Sequence, residues 1–523
     1  MLVYGGRIHT MSPLGCVEAL YIEGDRVVAA GKKQVLESVL RPGTTQVCLE
    51  GRAVFPGMYD SHIHLNMWSI GLKRIDLRSA KTVQDALQVV SEAAKNTPEG
   101  RWILGGRWDK SVWVEFPDAV DLDRVSPAHP VYLVSKDGHS GWANSLAMKI
   151  AGVGPDTEAP AGGAILKHNT GRLTGMFQDT ATRLIQEHIP LPEFEHVVTD
   201  VDAGIRKLHS LGIVGAHVCD GVMGFKVART LWERGRLAFR IAAMLPNSHM
   251  RHAVEAGLSQ GFGNDNLFLG PIKMFKDGAL GSSTAWMTEP YEHIPGYRGL
   301  EVMSQRQLAE DVELAVGAGF GTAIHAIGDL ACRNVLDVLE KHAEVSRKKR
   351  LRHRIEHAQL LTVQDVARFG QLGVVASVQP SHVVADRYMA DREWGDRARW
   401  AYAFRSLLDT GAVLAFGSDA PVDEPDPLYG IHCAVNRQAV GDTEAGAWYP
   451  EEKMSVLDSI RAYTVGAAYA AGREDVLGDL SPGKLADFVV LSKDITQIHP
   501  SEITSAKVEA TCVGGTMVYG PLW

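Results

Sequence analysis

Two histidines one residue apart, His62 and His64, stand in the stretch VFPGMYDSHIHLNMWS, directly after a short apolar run closed by Pro56-Gly57. On a strand, positions i and i+2 project to one face, so the pair can present two imidazoles to a single cation. Histidines in a turn or a core would show the same spacing. Asp60 two residues upstream and the Pro-Gly ahead of it place the pair at a strand end. The theme recurs at His325 in TAIHAIGD and at His357 in RIEHAQ. Either of these alone is more often a hydrogen-bonded core residue than a ligand. Four histidines at the same end of three strands point to a metal, because imidazole is the commonest protein ligand for zinc-like ions. Asp419 in AFGSDAP adds a carboxylate, with turn capping as its other reading.

Lys273 falls inside GPIKMFKDGALG, in a run that otherwise reads as buried. A buried amine is costly unless it is paired or neutralised. A salt bridge to Asp277 would satisfy it. So would reaction with CO2 to give a carbamate, whose two oxygens could bridge a pair of metals. Lys276 competes for the role three residues on, but strand alternation puts it on the opposite face.

Holding these residues together requires parallel strands. The runs IVGAHVCDG, FRIAAMLPN, PIKMFKDG, GTAIHAIGD, RHRIEHAQL, VVASVQPSH and VLAFGSDAP alternate with helical stretches such as SQRQLAEDVELAVGAG. With VFPGMYDSHIHL in front they make eight βα units, the pattern of a parallel barrel covered on both sides. The polar residues fall at the C-terminal ends of the strands, where such barrels keep their active sites. The expected fold class is α/β, a (β/α)8 TIM barrel over residues 56–479. Roughly 148 residues separate His64 from the second strand near Ile213, several times the length of one βα unit. A large insertion, about residues 66–195, therefore follows strand one. It is rich in tryptophan and reads as a lid or substrate-binding subdomain. Residues 1–55 and 480–523 share a hairpin texture and are expected to pair in one small β-sandwich.

The bulk composition narrows the partners. A formal net charge of -9 opposes non-specific affinity for nucleic acid or anionic membranes. The cysteines Cys16, Cys48, Cys219, Cys332, Cys433 and Cys512 are scattered, without a CxxC pair, and read as reduced thiols. The first residues lack a signal-peptide pattern, and no run approaches the roughly 20 apolar residues of a membrane helix. A cytoplasmic location is expected.

The HxH pair, Lys273, His325, His357 and Asp419 together resemble the ligand set of the binuclear amidohydrolase superfamily. The stretches KMFKDGALGSSTAWM, IHAIGDLACRNVLDVLE, RIEHAQL, SVQPSHVVAD, FGSDAPVDEPDPLYGI and LSPGKLADFVVLSKD are similar to its YtcJ-like branch, often called amidohydrolase family 3. The likeness covers nearly the whole chain, and no ligand position departs from the pattern. It implies one divalent metal held by His62, His64 and Asp419 and a second by His325 and His357, with carbamylated Lys273 bridging them and zinc the expected ion. It also implies that a hydroxide shared by the two metals attacks the carbonyl, while Asp419 shuttles the proton to the leaving group.

The reaction so implied is hydrolysis of an amide-type C–N bond. Likeness to N-substituted formamide deformylases suggests an N-substituted formamide or N-acyl amine as substrate, although a lactone, a carbamate or a cyclic imide fits the same centre. A mononuclear deaminase would leave Lys273 without a role, and a non-catalytic regulatory protein would have no need of the intact ligand set. Expected substrate contacts are Trp68 and Trp108, near Trp113 and Trp142, for an apolar substituent. Asp137 and His139 in SKDGHSGW are added to them, with Gln379, His382 and Asp386 after strand seven. Packing within the insertion is the competing role for the tryptophans. The partner is a small-molecule substrate, and a homodimer is the candidate assembly.

Overall fold

The computed structural model describes residues 1–109, 113, 117–136, 138–442 and 444–521. These fall into two compact units, Met1–Trp68 with Val198–Trp523, and Ser69–Val197.

The first unit contains eight parallel strands: β1 (Met58–Ile63), β2 (Ile213–Val218), β3 (Arg240–Pro246), β4 (Leu267–Phe275), β5 (Thr322–Ala326), β6 (Arg354–His357), β7 (Val375–Val378) and β8 (Leu414–Phe416). Each pairs in parallel with the next in chain order. Beyond the ladders, two main-chain bonds join the segments that leave β1 and β8: Asp419 N donates to His62 O at 2.7 Å, and His64 N donates to Ala420 O at 2.9 Å. The result is a nearly closed barrel. Its strands are buried almost throughout, as their continuous apolar runs require. The helices between them carry local stop and start signals. Thr362 accepts from Asp365 N to cap Val363–Leu372, and Gly373 ends that helix in the left-handed region at φ 70°. Pro56-Gly57 has a steric reason, because a Cβ at Gly57 would lie 2.5 Å from the Val214 methyls of β2.

The two chain ends share one sheet. Ala53–Pro56 runs antiparallel to Phe488–Leu491, with Val54 opposite Val490. They follow one continuous hydrogen-bonded path through Thr516–Tyr519, Val508–Val513, Phe488–Leu491, Ala53–Pro56, Leu2–His9, Cys16–Glu23 and Arg26–Gly31. Residues from both ends, among them Val3, Ile8, Leu20, Phe488, Val490 and Cys512, bury one another in a common core. Asp487 carries this core to the barrel, since its carboxylate pairs with buried Arg240 of β3 at 2.9 Å.

The second unit is built on a six-stranded mixed sheet and helices that include Val83–Asn96 and Ala119–Val125. Both helices open with a capping box, Thr82 with Asp85 and Asp118 with Asp121. Trp108, Trp113 and Trp142 lie in its core.

Candidate metal centre

The ends of β1, β5 and β6 and the turn after β8 bring the candidate ligands together. One ligand atom each from His62, His357 and Asp419 lies within 4.8 Å of the others. Asp419 Oδ1 is 3.5 Å from the Nε2 atoms of both His62 and His64. The His357 ring centroid is 4.9 Å from that of His62 and 4.5 Å from that of His325. Three residues here adopt left-handed backbone angles although none is glycine: His357 at φ 74°, Ala358 at 42° and Asp419 at 57°. Such conformations are sparsely populated and concentrate at functional sites, where the surrounding structure enforces them.

Lys273 projects from β4 with 4 % of its surface exposed. Its Nζ has no hydrogen-bond partner and stands 4.8 Å from the centre of the Phe275 ring. The salt bridge to Asp277 that would have satisfied it is not formed. Asp277 is instead taken by three backbone N–H donors, Trp286 at 2.8 Å, Ile327 at 3.0 Å and Gly328 at 2.9 Å. Lys276, fully buried, donates to Glu301 at 2.5 Å and to the Met303 carbonyl at 2.7 Å. One buried lysine is therefore satisfied by protein and the other is not.

Behind His62 lies a charged layer that the sequence reading missed. His62 Nδ1 donates to Glu356 Oε2 at 2.5 Å, and the Glu356 carboxylate also takes Arg354 Nε at 2.5 Å and Ser377 Oγ at 2.8 Å. Arg354 continues to the Ser61 carbonyl and to His217 Nδ1. Glu356 and Arg354 are both fully buried. A carboxylate on the far nitrogen fixes the tautomer of a metal-binding histidine and leaves its other nitrogen free. The other rings are fixed in the same way, with Gln379 Oε1 2.9 Å from His357 Nδ1 and the Gly278 carbonyl 3.0 Å from His325 Nε2. Asp60, two residues before His62, is not a ligand. It ties the ends of β1 and β8 together by accepting from His62 N at 3.1 Å and from Ser418 N at 3.0 Å.

The electrostatics suit neutral imidazoles at His64, His325 and His357. Burial, reinforced by Lys273, lowers His325 to about 4. Burial and the neighbouring His62 lower His64 to about 4, and burial with His325 holds His357 well below the usual histidine range. Neutral rings offer lone pairs to a metal. Burial and Lys273 oppose charge on His62, yet Cys219 and Glu356 outweigh them and raise it to about 10.

The expected substrate contacts divide. Gln379 and His382 leave β7 close to His357, and both are buried. Asp386 accepts from the Tyr402 hydroxyl at 2.5 Å. Trp68 is buried on the helix Leu65–Gly71 that follows β1. Trp108 is fully enclosed in the second unit, stacked on Trp113 at 5.2 Å, with its N–H donated to the Leu133 carbonyl at 3.0 Å. Packing, rather than substrate contact, is the role that position supports. His139 is exposed in the second unit and pairs with Asp179 at 2.8 Å. Asp137 lies outside the described residues.

The sequence profile of the amidohydrolase family matches residues 47–519. The chain belongs to the amidohydrolase family. Within it the chain falls in the YtcJ-like branch: it is 32% identical to the putative amidohydrolase YtcJ of Bacillus subtilis, over 99% of this chain and 98% of that one. It is also 37% identical to Protein LONG AFTER FAR-RED 3 of Arabidopsis thaliana, over 99% and 91%. Against the N-substituted formamide deformylase of Arthrobacter pascens the identity is 26%, over 96% and 95%. Among solved structures, a metal-dependent hydrolase from Pyrococcus horikoshii superposes with a TM-score of 0.80 at 27% identity, over 95% of this amidohydrolase and 98% of that chain.

Proposed function

We propose that this amidohydrolase is a metal-dependent hydrolase that cleaves an amide-type C–N bond in a small molecule. The observation that carries the reading is the orphaned Lys273 amine, buried next to imidazoles held neutral and a carboxylate. A free ammonium would repel the cations that this donor set invites. Addition of CO2 forms an N–C bond and releases a proton, which turns the amine into an anionic oxygen donor. His62, His64 and Asp419 would then hold one divalent cation, zinc being the expected one, and His325 and His357 a second, with carbamylated Lys273 shared between them. Bound there, the cations supply Lewis acidity and bring the pKa of water towards neutrality.

The chain's own residues do the rest. Asp419 Oδ1, equidistant from His62 and His64, takes the proton of the attacking water and returns it to the departing nitrogen. Glu356 and Gln379 keep His62 and His357 in the tautomers that face the centre. The formamide deformylase relative supports an N-formyl or other N-acyl amine as the substrate type. Metal analysis of purified protein, together with turnover of a mixed panel of N-acyl amines, tests the proposal. Close to two divalent ions per chain and hydrolysis sensitive to chelators are expected. Active protein with one ion or none removes the binuclear reading, and fully loaded protein inert towards the whole panel removes the amide-hydrolase reading.

A further inference from the structure

Buried polar groups without a partner are rare and costly. At the metal centre Lys273 is one, and carbamylation accounts for it. Two more stand on the short stretch Gln379–His382 that leaves β7, the Gln379 amide nitrogen and the His382 ring, and the proposed chemistry uses neither of these groups. Gln379 is 2 % exposed. Its Oε1 is engaged by His357 Nδ1, which fixes the amide and leaves Nε2 with no acceptor. His382 is 6 % exposed, and neither ring nitrogen has a hydrogen-bond partner. Asp423 Oδ2 stands 3.6 Å from its Nε2 and is itself without a hydrogen-bond partner.

We infer that Gln379 and His382 form a subsite for a second oxygen of the substrate, distinct from the carbonyl that is cleaved. This rests on the proposed amide-hydrolase function and names its substrate class. Gln379 approaches His357 at Nδ1, the ring edge opposite the Nε2 left for the centre, so its N–H groups address an atom beyond the reacting carbonyl. The charge around His382 decides what that atom is. Asp423 faces the ring, and Asp386 lies within its electrostatic reach, so two carboxylates surround one imidazole. A carboxylate ligand would add a further negative charge, whereas a neutral carbonyl oxygen accepts from Gln379 without that repulsion. The substrate class is an N-acyl amine, or an imide or ureide, that carries a second neutral carbonyl. Phe275, 47 % exposed at the end of β4, marks an apolar approach to the centre.

Three formamides of similar size test this: N-(2-oxopropyl)formamide, its isostere N-(2-methylallyl)formamide with a methylene in place of the oxygen, and the anionic N-formylglycine. In the metal-loaded protein the keto compound should exceed both others in kcat/KM by at least about tenfold, the value of one satisfied buried donor. Gln379→Glu keeps the acceptor for His357 but removes the donor, and His382→Phe removes the ring nitrogens. Either variant should bring the ratio of keto compound to isostere close to one. Affinities of the same probes for the Asp419→Asn protein, read by ligand-observed NMR, report the subsite independently of turnover. Equal binding of keto compound and isostere, or an unchanged preference in folded Gln379→Glu, overturns the inference. Binding preference for the keto compound without hydrolysis of any probe keeps the subsite and counts against the amide-hydrolase reading instead.

Discussion

Replacing Glu356 with glutamine should weaken both the barrel and its hold on metal, by amounts that the geometry sets. The carboxylate is fully buried, and its oxygens receive Arg354 Nε at 2.5 Å, Arg354 Nη2 at 3.0 Å, Ser377 Oγ at 2.8 Å and His62 Nδ1 at 2.5 Å. Glutamine has the same shape but puts an NH2 group where one oxygen stood. Whichever way it turns, donors oppose donors, either the amide against Arg354 or the amide against the His62 N–H. Arg354 is left as a buried cation without its anion, a change that costs about 3–5 kcal/mol. Loss of the acceptor that orients His62 should lower metal affinity by about 10- to 100-fold. Urea unfolding of metal-stripped protein reads the first effect, and zinc competition against a chelating dye reads the second. The double variant Arg354→Met/Glu356→Leu separates them. With both charges gone most of the stability should return. Zinc affinity should stay low, because His62 still lacks its acceptor. A Glu356→Gln protein with wild-type unfolding midpoint and wild-type zinc affinity would refute the argument.

Three further outcomes follow from the same structure. Lys273→Ala should hold close to one divalent ion where the proposed native centre holds two, whereas Lys276→Met, which removes a lysine already bonded to Glu301 and Met303, should leave metal content unchanged by elemental analysis. Asp419→Asn keeps the shape but cannot take a proton, so steady-state kinetics should show kcat down by at least about 10² to 10⁴ with KM little altered. In the second unit, burial pushes Asp118 up but Arg172, the Val120 N–H and His168 hold it at about 2. A depressed carboxylate stabilises above its unfolded value near about 4 and loses that contribution as pH falls towards 2, so Asp118→Asn should flatten the stability–pH curve across that window in acid unfolding.

That the candidate ligands would lie together was legible in the sequence because each stands at or just past a strand end, and a barrel gathers its strand ends. Period and turn chemistry alone placed His62, His64, His325, His357 and Asp419 on one rim. The layer beneath them left a fainter signal. In RHRIEHAQL, Arg354 and Glu356 alternate within a strand buried on both faces, and two opposite charges on one face of such a strand imply a partner inside the barrel. That His62 is the partner depends on the register between β1 and β6, five strands apart along the sheet, which no local pattern encodes. The tryptophans of the insertion were ambiguous for another reason. A large indole packs a core and lines a pocket with the same composition, and only the burial of Trp108 decides between them. The chain ends were legible as strands that pair, because both carry the same short apolar runs broken by turn residues.

Lys273 and Lys276 carry the distinction between fold and function furthest. Both are buried lysines on or just after β4, and composition, hydropathy and burial treat them alike. Alternation turns one towards Glu301 and Met303, where its charge is matched and its three donors find oxygen. It turns the other towards the histidines of the candidate metal centre, where its ammonium finds no hydrogen-bond acceptor. A fold under selection for stability alone would have replaced the second lysine, since an unpaired buried amine only costs free energy. Its presence in a well-packed strand argues that the cost is offset by something the polypeptide does not itself provide, and the proposed carbamate shared by two cations would meet that requirement with the atoms of one CO2.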